Sequence, residues 1–213
     1  MDKVELLSAL VGTQTSNLCA FVRIAKNDPV LAKQVLDMGV DGVIFPMVLN
    51  AEDAKMAVAS CRYPPTGIRG FGPSRAAYYG SIDMKEYIHE ISKKVLVIIQ
   101  IEDIEAIRNL DDILAVPGIG ALVLGPCDLS ASLGLLGEIN HPEVRKAMET
   151  FVEKSKKAKI PFGVSMGYND EAVRYWAGKG PNFIFTSNEV DYILSGSKYN
   201  LKRLNAALAE AKN

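Results

Sequence analysis

The sequence predicts an α/β fold, a parallel sheet covered by helices, and three observations carry that prediction. Short apolar runs alternate with amphipathic stretches along the chain. The runs are apolar throughout rather than at every second position, as in a sheet buried on both faces. The polar residues that break the pattern gather at the ends of the runs.

Taken in order, VELLSALV (4–11) opens the chain as an amphipathic helix. LCAFVRI (18–24), DGVIFPM (41–47), KVLVIIQI (94–101), GALVLG (120–125), IPFGVSM (160–166) and NFIFTS (182–187) are strand-sized, bounded by Gly, Pro or charge. Between them, PVLAKQVLDMG (29–39), AEDAKMAVASC (51–61), DIEAIRNLDDILAV (103–116), HPEVRKAMETFVEKSKKAK (141–159) and NDEAVRYWAGKG (169–180) repeat apolar residues every three or four positions. Most of these start at Asn, Asp or Pro, as helices do. Six strands fit an open sheet as well as part of a closed barrel, so the count leaves topology open. No internal repeat or linker divides the chain, and residues 1–213 are expected to form one domain.

Composition narrows the function. With 213 residues, 48% of them hydrophobic, the chain is long enough for a substantial core. Lys and Arg (24) balance Asp and Glu (25) and are scattered, so there is no electrostatic footprint for nucleic acid or an anionic membrane. No apolar run is membrane-length, and MDKVELL lacks a signal-peptide layout, so a cytoplasmic protein with a small-molecule ligand is expected. Cys19, Cys61 and Cys127 are odd in number and widely spaced, which indicates neither a disulfide framework nor a cysteine zinc site.

Arg23, Gln100, Glu102, Asp128, Ser165 and Ser187 stand at or just beyond predicted strand ends, the edge where parallel α/β folds bind ligands. Gln100 and Glu102, two apart, share one side of their strand, whereas Ile101 faces the other. Glu102 and Asp128 could converge on a hard divalent cation that prefers oxygen ligands; Asp128 could instead cap the short turn in CDLSASLG. The long connection RYPPTGIRGFGPSRAAYYG (62–80) has the length of a functional loop. Its Arg69 offers a cation and a planar fork of donors, suited to a carboxylate or enolate oxygen or to tying down the loop's carbonyls. Arg75 reads either as a rim charge or as a contact to the far part of a substrate.

RYPPTGIRGFG, VIIQIED and LVLGPCDLSASLG followed by HPEV resemble, in this order, the signatures of the HpcH/HpaI aldolase family of metal-dependent class II pyruvate aldolases. The similarity runs from about residue 27 almost to the C-terminus. The resemblance implies a (β/α)₈ TIM barrel, a homo-oligomer (a hexamer), and cleavage of a 4-hydroxy-2-oxo acid to pyruvate, or a close 2-oxo acid, and an aldehyde. It implies Glu102 and Asp128 as ligands of Mg²⁺ or Mn²⁺, with Co²⁺ as a further metal. It also implies the backbone of Pro126, Cys127 and Asp128 as the seat of the pyruvate carboxylate, Arg69 as the enolate-stabilising group and Gln100 as an orienting group. Lys93 and Lys94 precede their strand, at the wrong end for a Schiff base.

The family's His motif, at the end of a second strand that precedes the opening helix here, has no counterpart in this sequence. His89 and His141 lie within or at the start of helical runs. The barrel is therefore expected to lack its first two strands, the chain being shortened at its N-terminus. Two further functions remain open: a pyruvate- and metal-binding or assembly protein without the base, and a CoA-thioester lyase of the same superfamily.

Overall fold

A computed structural model describes residues 2–211. The chain runs α1 (Lys3–Thr13), β1 (Phe21–Arg23), α2 (Pro29–Asp37), β2 (Gly42–Phe45), α3 (Ala51–Ser60), α4 (Met84–Glu86), β3 (Leu96–Ile101), α5 (Ile104–Arg108), α6 (Leu110–Leu114) and β4 (Ala121–Leu124). It continues through α7 (Pro126–Ser132), α8 (Pro142–Ala158), β5 (Phe162–Met166), α9 (Asp170–Lys179), β6 (Phe183–Thr186) and α10 (Glu189–Glu210). Each strand falls inside an apolar run read from the sequence.

Side-chain caps start the helices where the sequence places Asp and Asn. Asp28 accepts from the N–H groups of Val30 and Leu31 at 2.7 and 3.1 Å, with Pro29 in the first turn. Asn50 and Asn169 do the same for α3 and α9, satisfying donors that a helix start leaves unpaired. Residues 103–116 form two short helices rather than one: they meet at Asn109, whose side chain donates to Leu49 O over 2.9 Å and ties that junction to the loop between β2 and α3.

All five strand pairings are parallel and the spatial order is the chain order, β1-β2-β3-β4-β5-β6. This order decides the topology. A doubly wound sheet reverses direction near its middle, whereas a sheet that adds each strand on the same side curls as a barrel wall. The described residues supply six strands of the eight in a closed barrel, so the fold is a half-barrel with β1 and β6 at its edges.

Alternation along each strand sorts side chains into two layers. Val43, Phe45, Val97, Ile99, Ile101, Leu122, Leu124 and Val164 pack outward against the helices in the main core. Ile44, Ile98, Ala121 and Val123 face inward, with Leu96, Phe183 and Phe185 packed on them. Gly163 makes room on this inner face: a Cβ there would come within 2.3 Å of the Phe183 ring.

The last helix stands apart. No residue of α10 is buried, and Val190, Ile193, Leu194, Leu201, Leu204 and Leu208, spaced as one helical stripe, are each more than half exposed. Among the described residues, no helix is long and apolar enough to cross a membrane.

Candidate functional site

The inner face ends in a rim of polar groups. Gln100 and Glu102 leave β3 on the inner side while Ile101, fully buried, packs among the helices. The Gln100 amide donates to Glu102 Oε2, and the backbone N–H of Met47, just past β2, donates to Glu102 Oε1 over 2.9 Å. Met47 holds φ at 57°, a left-handed conformation uncommon outside glycine. Both carboxylate oxygens are thus oriented, and each keeps a lone pair for a further partner.

Gly125, at the end of β4, lies against this pair: its N–H donates to Ile101 O over 2.9 Å, and a Cβ on it would sit 3.1 Å from Glu102 Cβ. The absent side chain lets the start of α7 approach the Glu102 carboxylate. Asp128 stands in the first turn of α7, exposed. The helix has no side-chain cap, so Asp128 does not serve as one. Among the described residues it makes no side-chain hydrogen bond or ion pair. Pro126 is buried and Cys127 exposed beside it.

Arg23 ends β1 in register with Ile44, itself in register with Ile98, so it belongs to the inward set. It is exposed and, among the described residues, has no hydrogen-bonded or ionic partner. Arg23 at the end of β1, Gln100 and Glu102 at the end of β3 and the α7 start with Asp128 thus stand along one edge of the sheet.

Arg69 is not at this rim. The 62–80 connection follows α3 and leads to β3, so it is a helix-to-strand loop at the opposite, N-terminal end of the sheet. There the Arg69 side chain is fully buried, donates to Asp37 Oδ1 at 3.0 Å and Tyr87 Oη at 3.1 Å, and lies 4.6 Å from the centroid of the Tyr63 ring. Asp37 also pairs with Lys33. Of the two readings open for Arg69, this geometry is that of a loop anchor. Arg75, on the same loop, donates to the Met38 carbonyl at the end of α2. Burial pushes the nearby Cys61 thiol up to about 12, with Arg62 and Arg69 opposing the shift.

The two histidines fit the places expected of them. His89 is exposed in a helical turn ahead of β3, and His141 caps α8, its Nδ1 accepting from Glu143 N at 3.3 Å. Neither ends a strand.

Two carboxylates at adjoining strand ends, one fixed and one uncommitted, fit a hard divalent cation that draws its remaining oxygens from water and substrate. Among the described residues, no group of three or more His, Cys, Asp or Glu is placed to hold a metal.

Residues 3–184 match the HpcH/HpaI aldolase/citrate lyase family. The chain belongs to this family. It is 42% identical over 154 residues to a 4-hydroxy-2-oxo-heptane-1,7-dioate aldolase of Klebsiella pneumoniae, spanning 72% of this chain and 58% of that one. A 5-keto-4-deoxy-D-glucarate aldolase of an Enterobacter species is 34% identical over 200 residues, 92% of this chain and 76% of the relative. A crystal structure of an HpcH/HpaI aldolase/citrate lyase family protein from Burkholderia cenocepacia superposes with a TM-score of 0.88 at 32% identity, covering 96% of this chain and 81% of that one. The chain thus spans little more than half of the first relative and about three quarters of the second.

Proposed function

We propose that this HpcH/HpaI family chain is a divalent-metal-dependent aldolase that cleaves a 4-hydroxy-2-oxo acid to pyruvate, or a close 2-oxo acid, and an aldehyde. The observation that carries this reading is the Glu102 carboxylate, held by Gln100 and the Met47 N–H beside the glycine that admits the start of α7. The aldolases of Klebsiella and Enterobacter, with family-wide similarity, support the reaction class.

In this reading Glu102 and Asp128 hold Mg²⁺ or Mn²⁺, with Co²⁺ as an alternative. A bound divalent cation supplies Lewis acidity toward the 2-oxo group. Gln100 keeps Glu102 turned toward the cleft. The backbone of Pro126, Cys127 and Asp128 receives the 2-oxo acid's carboxylate. The 4-hydroxyl gives its proton to water as the C3–C4 bond breaks to form the aldehyde. The electron pair left on C3 delocalises onto the 2-oxo oxygen as an enolate that later takes a proton from water at C3, and Arg23, inward-facing and without a partner among the described residues, stabilises that charge as it develops. Arg23 takes the role that the resemblance gave to Arg69, because Arg69 is engaged at the other end of the sheet.

One observation favours a second reading, a binding protein with weak turnover: among the described residues no histidine stands at the rim, and a positioned general base contributes about a hundred- to ten-thousand-fold. Assay of pyruvate release from a 4-hydroxy-2-oxo acid with Mg²⁺ or Mn²⁺, alongside solvent exchange of pyruvate methyl protons, separates the two. Metal-dependent release and exchange support the aldolase; metal and pyruvate binding with neither activity would replace it by the binding protein.

Self-association and a cytoplasmic location belong to the same proposal. The apolar stripe of α10 supports the first, since an isolated helix with one apolar face gains most of its stability from a packing partner. Scattered charge and a small-molecule site support the second.

A further inference from the structure

Just past β2, Pro46 and Val48 are buried while Met47 between them is exposed. Val48 packs in the main core and pins this loop to the helix layer. Leu49 is held on both sides: its N–H donates to Asp53 Oδ2 and its carbonyl accepts from Asn109 Nδ2, each over 2.9 Å. Asp53 is itself fixed in the first turn of α3, where its N–H donates to Asn50 Oδ1 at 3.0 Å and its carbonyl accepts from Asn27 Nδ2 at 2.9 Å.

These contacts close a circuit around the rim. Asn109 stands at the break between α5 and α6, on the helical stretch that follows Glu102 in the chain. It reaches across to Leu49, and from the same loop the Met47 N–H returns to Glu102 Oε1 over 2.9 Å. Met47 holds φ at 57°, a conformation that costs a residue with a side chain free energy and persists where the surroundings over-determine it. Its own side chain is exposed, so the constraint comes from its neighbours along the chain. The proposed chemistry gives Asn109 no role.

We propose that Asn109 is a positioning residue for the Glu102 carboxylate. Through Leu49 it holds Met47 in the left-handed conformation that aims the N–H at Oε1, so the break between α5 and α6 serves the rim. A loop free to relax would carry Met47 toward negative φ, turning the N–H away and releasing one carboxylate oxygen. The consequence for metal binding rests on the metal-dependent reading; the orientation of Glu102 does not.

Nuclear magnetic resonance of ¹⁵N-labelled protein without metal reads the first link. In the parent the Met47 amide proton should stand downfield, as one bonded to a carboxylate does; in Asn109→Ala it should move upfield and exchange faster with solvent. Urea unfolding separates this from a loss of stability, because a purely structural role would lower the midpoint and leave the Met47 amide in place. Calorimetric titration with Mg²⁺ or Mn²⁺ reads the second link. Asn109→Ala should bind the metal about tenfold more weakly, within the range for groups that orient a ligand. Met47→Val, β-branched and averse to positive φ, should match that loss with Asn109 in place, and Met47→Gly should recover most of the affinity. An unmoved Met47 amide in Asn109→Ala overturns the proposal, as does parental metal affinity in both Asn109→Ala and Met47→Val. A parent chain that binds neither metal removes the metal reading instead, and the Met47 amide then decides the positioning of Glu102 by itself.

Discussion

The backbone N–H of Met47 donates to Glu102 Oε1 over 2.9 Å, linking the end of β2 to the end of β3. With the Gln100 amide on the other oxygen, the carboxylate has lost most of its rotational freedom before any ligand arrives. That preorganisation can be tested.

Gln100→Leu should weaken Mg²⁺ or Mn²⁺ binding by about ten- to a hundredfold, the range for groups that orient a ligand. Glu102→Gln and Asp128→Asn should each weaken it further while the far-ultraviolet circular dichroism stays that of the parent. Calorimetric titration measures this, and unchanged affinity in both carboxylate variants would remove them as ligands.

The two arginines should separate by readout. Arg23→Lys keeps a charge but loses the planar fork of donors, and should slow solvent exchange of pyruvate methyl protons about a hundredfold. Arg69→Met should leave exchange nearly intact yet lower stability by about 1–3 kcal/mol, because it strips Tyr87 and Asp37 of a buried donor. Urea unfolding together with the NMR exchange rate tests both. A large exchange defect in Arg69→Met at full stability would return that residue to the chemistry.

The cysteines should differ in reactivity. Cys19 and Cys127 are exposed and should react with a thiol reagent in the native protein, whereas buried Cys61 should react only on unfolding. Burial pushes its thiol from an ordinary 9.0 up to about 12, so from pH 9 upward the unfolded chain loses a proton that the native chain keeps. Stability from this group is full below pH 9 and declines toward pH 12. Cys61→Ala should flatten that decline relative to the parent in denaturant titrations across the interval.

For α10, Leu201→Glu with Leu204→Glu should shift the protein to a smaller species in light scattering while leaving the half-barrel folded, since neither residue is buried within the chain. An unchanged mass would end the role of this stripe in self-association.

Much of the fold was legible. The six apolar runs are the six strands, and Asp28, Asn50 and Asn169 announce their helices because a short polar side chain next to an apolar-periodic run is what an unpaired helix start requires. The same-side placement of Gln100 and Glu102 follows from the two-residue period of a strand. The role of Met47 left no trace in the sequence, because its contribution is a backbone N–H that any residue carries. Arg69 misled because its guanidinium suits an enolate and a buried anchor equally; the order of elements, with the loop following AEDAKMAVASC and preceding β3, held the information that puts it at the far end. The α10 signal was present in Asn188 and the spacing of Val190, Leu194, Leu201, Leu204 and Leu208, yet nothing in that spacing says that the stripe stays uncovered within the chain.

Ile101, wholly buried between two rim residues, gives the site a phase. Since neighbouring side chains of a strand take opposite faces, one residue inserted or deleted early in β3 would turn Ile101 into the cleft and drive Gln100 and Glu102 into the helix layer, where neither has a partner. The helices packed on Ile101 would resist that slip at the cost of the strand itself. Substitution can therefore remodel this edge residue by residue, whereas a change of length within β3 exchanges chemistry for core in a single step.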